Sequence, residues 1–69
     1  MKNISFFLNG DEYSIQSQIT ILDLIDYFNF EESLVILEYN NFICNKKDWK
    51  EIFITNQDKI EIVTIVGGG

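Results

Sequence analysis

The residues with the clearest chemical potential are the last three of the 69, Gly67, Gly68 and Gly69. Because glycine has no Cβ, it accepts nearly any backbone conformation and offers the narrowest cross-section of any residue. The preceding stretch, residues 59–66, is rich in β-branched residues and predicts a strand. We therefore expect a free α-carboxylate at Gly69, on a tail whose root is fixed in a sheet. Such a tail suits insertion into another enzyme's active site, and the alternative is a simple frayed terminus.

The residues needed for most catalytic and metal sites are missing. The chain has no histidine, one cysteine (Cys44) and one internal glycine (Gly10). Without histidine, the common nucleophile–base pairs and nitrogen–sulfur metal sites cannot form. A single internal glycine excludes a phosphate-binding loop. Cys44 follows an apolar residue on a predicted strand, which favours a core position over a reactive thiol. We therefore predict that the chain is not an enzyme and holds no catalytic residue, metal or cofactor of its own.

The remaining chemistry is that of the terminal carboxylate. A carboxylate is ionised and inert at neutral pH, so it must be activated before it reacts. Attack of its oxygen on the α-phosphate of ATP would give an acyl-adenylate and pyrophosphate, and a sulfur nucleophile could then displace AMP to leave a thiocarboxylate. Since the chain lacks a nucleotide site, the ATP and the catalytic groups must belong to a partner. Gly67 and Gly68 would enter that partner's pocket, with Val66 at its mouth.

Composition narrows the class of protein. A length of 69 residues with 46% hydrophobic content indicates one small globular domain. The net charge of -6 disfavours nucleic-acid binding, which needs a basic surface. The acidic residues could steer the chain towards a basic enzyme surface, or simply keep it in solution. The excess of Ile, Asn, Phe and Lys over Ala, Arg and Pro is typical of an AT-rich genome, such as that of a plastid or a low-GC bacterium.

The sequence also carries hints about location. A lone cysteine suits a reducing compartment. No signal peptide is visible, and the longest apolar runs are far shorter than the roughly 20 residues that span a bilayer. We therefore expect a soluble intracellular protein with no membrane partner, monomeric when free.

Local patterns predict the order ββαβ, a short strand, then a last strand. The first hairpin turns at Asn9-Gly10, and a capping box at Thr20 and Asp23 opens a helix that ends near Asn29. The other expected elements are a strand over 34–39 near the middle of the sheet, a short strand over 42–44, a helical turn within 45–51 pinned to the core by Trp49, and a turn over 56–58. The predicted fold is α+β, a mixed sheet of about four to five strands with one main helix on one face. We assign 1–65 to the domain and 66–69 to a flexible tail.

Alternation along the strands assigns side chains to the two faces of this sheet. Ile4, Phe6 and Leu8 share the face that meets the helix, so Phe7 points the other way. On the last strand, the same logic leaves Val63 and Ile65 opposite the core. Phe7, Val63 and Ile65 are therefore candidates for a partner-docking face, because contiguous exposed apolar residues usually mark a contact site. The alternative is that loops cover them.

The whole chain resembles the ubiquitin-like β-grasp sulfur carriers, and among them most closely the ThiS family of thiamine biosynthesis. The residues that carry the resemblance are the Asn9-Gly10 hairpin, the helix start at 20–25, the strand at 35–38, the segment 46–49, and the strand 60–63 running into Val66-Gly67-Gly68-Gly69. The family usually ends in Gly-Gly, so a third glycine is a small departure. A glycine tail is shared by all ubiquitin-like proteins. The resemblance favours the ThiS family because it extends over the full length of the chain.

The resemblance implies a sequence of events on Gly69. An adenylyltransferase of the ThiF type would bind ATP and activate Gly69, and a cysteine-derived persulfide would supply the sulfur of a thiocarboxylate. A thiazole synthase (ThiG) would then receive that sulfur for the thiazole ring of thiamine. In related complexes an apolar patch on the sheet face docks the activating enzyme. This role implies a bacterial cytosol or a plastid stroma. Two alternatives stay open: the small subunit of molybdopterin synthase, and a ubiquitin-like protein modifier or binding module.

Overall fold

The computed structural model describes residues 3–65, which form one five-stranded mixed sheet with a helix packed on one face. The strands are β1 Ile4–Leu8, β2 Asp11–Ile15, β3 Val35–Tyr39, β4 Phe42–Ile43 and β5 Lys59–Thr64, and the helix α1 spans Ile21–Tyr27. Short 3₁₀ turns cover Glu32–Leu34 and Lys46–Asp48. The strand order is β2-β1-β5-β3-β4, with β1 and β5 parallel and the other neighbours antiparallel. This arrangement confirms the predicted α+β β-grasp fold.

One prediction of strand position needs correction. The apolar run at 34–39 indicated a strand near the middle of the sheet, but the central strand is β5 and β3 lies beside it. Leu34 belongs to the preceding 3₁₀ turn. Ile36, in the middle of β3, is 43% exposed, because α1 covers only one face of the sheet. The unbroken apolar run therefore does not mark a strand buried on both faces.

Two asparagine-containing turns set the hairpin registers. Leu8 pairs with Asp11 across a two-residue loop in which Asn9 and Gly10 both have positive φ, 51° and 88°. Positive φ at both central positions is what a type I′ hairpin turn requires, and it matches the right-handed twist of the strands. Asn40 and Asn41, with φ of 51° and 77°, join β3 to β4 in the same way. The predicted turn at Asn9-Gly10 is confirmed.

The first N–H groups of helix α1 are bonded by its own capping side chains and by neighbouring backbone carbonyls. The predicted capping box is present, since Thr20 Oγ1 accepts from the Asp23 N–H at 3.1 Å and Asp23 Oδ2 accepts from the Thr20 N–H at 2.9 Å. The next two free N–H groups, of Ile21 and Leu22, donate to the carbonyls of Ile52 and Trp49. All four N–H groups from Thr20 to Asp23 are therefore satisfied within the domain.

The core lies between α1 and the sheet. Trp49, 1% exposed, closes one end of it, and its indole N–H donates to the Cys44 carbonyl at 3.1 Å. This confirms that Trp49 pins the 45–51 segment to the core. The predicted faces of the first and last strands are also confirmed. The buried hydrophobic residues are Phe6, Leu8, Ile21, Leu24, Ile25, Val35, Leu37, Trp49, Ile54, Ile60 and Ile62.

Asp58 is the only charged residue in the buried part of residues 3–65, and it fixes the start of β5. It accepts hydrogen bonds from the Thr55 N–H at 2.7 Å, the Thr55 hydroxyl at 3.0 Å, the Tyr39 hydroxyl at 2.5 Å and the Asn40 amide at 3.1 Å. Burial acts to raise the pKa of Asp58, but these hydrogen bonds outweigh it, and the pKa lies below the usual 3.8. Burial and the bond to Asp58 raise the pKa of Tyr39 to about 12. Asp58 therefore stays ionised in the folded protein.

We expect Asp58→Asn to lower the free energy of unfolding by about 1–3 kcal/mol, because an amide nitrogen would replace an oxygen that accepts hydrogen bonds from buried donors. Urea denaturation followed by circular dichroism measures this loss. Asp26→Asn is the matched control, since Asp26 is exposed on α1 and the charge change is the same. Equal stability of the two variants would contradict this role for Asp58.

The same variant predicts a pH dependence. A carboxylate whose pKa is lower in the folded state stabilises the fold above its unfolded pKa, and this contribution disappears as pH falls through the folded value. The stability difference between wild type and Asp58→Asn should therefore be constant above about pH 5 and shrink below the usual pKa of 3.8. Denaturation midpoints measured from pH 7 to pH 2.5 test this expectation. A difference that stays constant over that range would contradict it.

Candidate functional site

Strand β5 is the platform from which the predicted tail extends. It is paired with β3 along its whole length, from Tyr39 opposite Ile60 to Val35 opposite Thr64. Beyond the strand, the Ile65 N–H donates to the Leu34 carbonyl at 2.6 Å. The backbone is therefore held in place up to Ile65. The predicted tail residues, Val66, Gly67, Gly68 and Gly69, lie outside the described residues.

The other side of β5 is held by a short backbone ladder that side chains extend at both ends. Only Phe7 and Leu8 of β1 pair with β5, opposite Lys59 and Ile60. Past the end of β1, the Asn9 side chain takes the place of a strand, since its Oδ1 accepts from the Ile62 N–H at 2.8 Å and its amide donates to the Ile62 carbonyl at 3.3 Å. Sequence analysis identified Asn9 as a turn residue and missed this second role.

Asn56 extends the ladder at the opposite end. Its Oδ1 accepts from the Ser5 N–H at 2.9 Å, while the Ser5 carbonyl accepts from the N–H of Gln57 at 2.5 Å. The predicted turn at 56–58 thus also anchors the first strand. Together these contacts hold the β1 side of β5 from the turn that precedes it as far as Ile62.

The sheet face opposite α1 carries exposed apolar side chains. Val63 is 58% exposed and Ile65 is 44% exposed, as strand alternation predicts, and Phe7 is half-buried. The strand register separates these three residues. Phe7 is level with Lys59, four residues and roughly 13 Å along the sheet from Val63. The structure therefore brings Val63 and Ile65 together and leaves Phe7 apart from them.

The neighbours of Val63 are residues that sequence analysis did not select. Ile36 lies directly opposite Val63 in the β3–β5 register, and both are exposed. Ile43 on β4 is 71% exposed and shares this face, because it pairs with Glu38. We call Ile36, Ile43, Val63 and Ile65 the open-face patch. Alternation within 34–39 could have indicated Ile36, but the register that places it beside Val63 is not readable from one strand.

Two carboxylates border the open-face patch. Glu38 and Glu61 lie directly opposite one another on β3 and β5, and both are half-buried. They occupy the next position on each strand on this face, one step from the Ile36–Val63 pair. The nearest lysine along β5 is Lys59, beside Phe7. The open face thus combines an apolar centre with negative charge at its border.

Cys44 does not contribute a reactive group to this face. Its side chain is partly buried against the core, and its thiol lies 3.9 Å from the Asn45 carbonyl. Burial, and to a lesser extent the nearby Asp48, raises the pKa of the Cys44 thiol. A raised pKa keeps the thiol protonated and weakly nucleophilic, in agreement with the predicted packing role.

Within residues 3–65, no group of three or more potential metal ligands comes together. None of the helices in this range is long and apolar enough to cross a membrane. An open groove of about 390 Å³ lies between β2 and α1, and its lining includes Tyr13, Ile15, Tyr27 and Phe28. That groove is mainly apolar, and none of the residues that line it is charged.

Known proteins with similar sequences share nearly the whole length of the chain. It is 63% identical over 65 residues to the ycf40 protein of Trieres chinensis, a match covering 94% of this chain and 89% of that one. It is 38% identical over 63 residues to the sulfur carrier protein ThiS of Bacillus subtilis, covering 90% of this chain and 96% of that one. A thiazole synthase of Paramagnetospirillum magneticum contains a segment 29% identical over 62 residues, which is 90% of this chain and 19% of the larger protein.

The fold has a counterpart among solved structures. The crystal structure of the thiamine biosynthesis protein ThiS from Geobacter metallireducens matches 96% of this chain and all of that one, with a TM-score of 0.81 at 16% identity. At that identity the match concerns the fold. The family model, described as the ThiS family, matches residues 6–69, from the first strand through the glycine tail. The chain belongs to the ThiS family.

Proposed function

We propose that this chain is the sulfur carrier for synthesis of the thiazole of thiamine, with the sulfur held as a thiocarboxylate on Gly69. A partner adenylyltransferase would bind ATP and convert the Gly69 carboxylate to an acyl-adenylate with release of pyrophosphate. A persulfide would then displace AMP, and reductive cleavage of the resulting acyl disulfide would leave the thiocarboxylate. The observation that carries the proposal is the family match, which extends through residue 69.

The geometry of the domain supports delivery of such a tail. The β5 backbone is hydrogen-bonded on both sides at its start and up to Ile65 on the β3 side. A fixed root limits the directions in which the following residues can extend, which lowers the entropy lost when they enter a pocket. Gly67 and Gly68 are proposed to enter that pocket with Val66 at its mouth, and a side chain at any of the last three positions would clash there.

Thiazole synthase is the proposed acceptor of the sulfur. The thiazole synthase of Paramagnetospirillum magneticum carries a segment similar to this chain within the same polypeptide. A carrier joined to an enzyme in one chain acts at high effective concentration, which is useful when the two must meet. This relative, together with the Bacillus subtilis ThiS, favours thiamine over the molybdopterin and protein-modifier alternatives.

A plastid is the proposed location of this activity. Three relatives are ycf40 proteins, from Trieres chinensis, Porphyra purpurea and Pyropia yezoensis, and that naming belongs to plastid-encoded reading frames of algae. The excess of Ile, Asn and Lys over Ala and Arg agrees with an AT-rich plastid genome. The partner enzymes would then have to be present in the stroma.

Intact-mass spectrometry tests the central step. After incubation with ATP, a ThiF-type enzyme, a persulfide source and a reductant, the chain should gain the mass difference between one sulfur and one oxygen. Fragmentation should locate that change at Gly69. No mass change under conditions in which the same enzymes modify a known ThiS would contradict the proposal.

Two variants test whether the exact terminus matters. Adding one alanine after Gly69 should abolish the mass gain and leave the circular dichroism spectrum and the denaturation midpoint unchanged, because the added residue follows β5 and Ile65 in the sequence. Val66→Ile is the control for a conservative change in the tail and should be modified. Normal modification of the extended chain at its new end would contradict the requirement for a terminal glycine.

The docking face gives a separate prediction. Val63→Asp should weaken binding to the adenylyltransferase at least about tenfold, because burying an unpaired charge against an apolar partner surface is costly. Phe42→Asp is the matched control, since Phe42 is 77% exposed on a strand but lies on the other face. Titration calorimetry measures both. Equal affinities of the two variants would contradict docking through the open-face patch.

A further inference from the structure

We propose that Asn9 is a positioning residue for the carrier reaction, because its side chain fixes β5 at Ile62 and thereby sets the direction in which the chain leaves the sheet towards Gly69. This inference rests on the proposed function and adds to it a residue that controls how the Gly69 carboxylate is presented to the adenylyltransferase. Asn9 is bonded to β5 and acts through that strand.

The Asn9 side chain bonds to both backbone groups of Ile62. Its Oδ1 accepts from the Ile62 N–H at 2.8 Å, and its amide donates to the Ile62 carbonyl at 3.3 Å. The Asn9 backbone adds a third bond, from its own N–H to the Ile60 carbonyl at 2.9 Å. A single residue of the first turn therefore holds the last strand at two successive positions.

These bonds lie where the backbone ladder between β1 and β5 ends. Leu8 is the last residue of β1 that pairs with β5, opposite Ile60, and the chain then turns away into β2. On the other side of β5, pairing with β3 continues as far as Thr64. Without the Asn9 side chain, the last part of the β3–β5 pair would extend beyond β1 as a two-stranded ribbon.

The direction of such a ribbon is less restricted than that of a strand held on both sides. Adjacent strands are rotated by about 20–25° on average, and by larger angles in two-stranded ribbons. The seven residues that follow Ile62 can span about 23 Å. Over that distance, a change of roughly 10° in the direction of β5 moves the end of the chain by about 4 Å. Holding Ile62 therefore limits the positions open to Gly69 and lowers the cost of ordering it in a pocket.

The geometry of the turn does not by itself require these contacts. Position 9 of the type I′ turn needs a residue that accepts positive φ, and glycine meets that need as well as asparagine. The second turn provides an internal comparison. Asn40 has the same φ of 51°, its Oδ1 accepts from the Lys59 N–H at 2.8 Å, and its amide donates to Asp58 at 3.1 Å. Asn40 thus makes the same kind of contact at the opposite end of β5 from Ile62.

The test makes the same substitution in the two turns. Asn9→Gly and Asn40→Gly both permit positive φ, and each removes two side-chain hydrogen bonds. Adenylation by a ThiF-type enzyme is followed by release of pyrophosphate. Asn9→Gly should raise the KM for the carrier roughly fivefold and leave kcat within about twofold of wild type, because the strand is then ordered only on binding. Asn40→Gly should keep both constants within about twofold of wild type.

A conservative variant and a direct measurement of the strand support this comparison. Asn9→Asp keeps an oxygen that accepts from the Ile62 N–H but loses the donor to the Ile62 carbonyl, so its KM should lie between those of wild type and Asn9→Gly. In amide hydrogen exchange, the Ile62 N–H should exchange at least about tenfold faster in Asn9→Gly than in wild type, and at the wild-type rate in Asn40→Gly. If Asn9→Gly is too unstable to assay, a KM for Asn9→Asp equal to that of wild type overturns the inference.

Stability separates positioning from a general weakening of the fold. Asn40→Gly removes a donor from the buried Asp58 carboxylate, so its urea denaturation midpoint should fall at least as far as that of Asn9→Gly. A rise in KM confined to the Asn9 variants therefore cannot result from lost stability. An equal rise in both glycine variants, or an unchanged KM for Asn9→Gly, would overturn the inference.

Failure of this inference is distinguishable from failure of the proposed function. If wild type is adenylated and Asn9→Gly has the same KM, the positioning role is wrong and the carrier function stands. If an enzyme that adenylates a known ThiS does not adenylate wild type, the proposed function fails first.

Discussion

The pairing of β5 between β1 and β3 is the interaction on which the rest of the structure depends. Because the first and last strands are parallel neighbours at the centre of the sheet, the domain closes only when its final strand is in place. The same strand buries Ile60 and Ile62 against the core and exposes Val63 on the other face. One strand therefore joins the core, the open face and the root of the tail. A peripheral strand would be hydrogen-bonded on one side only, whereas β5 is bonded on both sides as far as Ile62 and on the β3 side up to Ile65.

That central pairing is sustained by polar side chains where backbone pairing ends. Asn9 and Asn56 bond to backbone groups that a longer β1–β5 ladder would otherwise satisfy. At the start of β5, Asp58 accepts hydrogen bonds from Tyr39, Asn40 and Thr55. Each of these residues lies in or beside a turn, where sequence patterns predict local geometry. Their long-range contacts form because these turns lie close together in the folded domain. Each such hydrogen bond also avoids the desolvation penalty of a buried polar group without a partner.

Sequence analysis succeeded where the cause is local. The hairpin at Asn9-Gly10 follows from positive φ, and the helix start follows from the reciprocal bonds of Thr20 and Asp23. Strand alternation correctly placed Val63 on the face away from the helix. It could not show that Phe7 is level with Lys59 and that Ile36 is level with Val63, because register between distant strands depends on the whole sheet. The composition of the open-face patch therefore required the structure.

The two faces of the sheet differ in how their apolar side chains are buried and their charged side chains are paired, and this difference bears on function. On the helix side, side chains from α1 and the sheet form one continuous core, and Asp58, the one buried charged residue between positions 3 and 65, is fully bonded. On the open side, isoleucines are exposed and two carboxylates oppose each other. Departures from local stability rules tend to cluster where a protein meets something else. Here they cluster on and beside β5, so in the proposed function the strand that would deliver the Gly69 carboxylate would also present a surface for a partner.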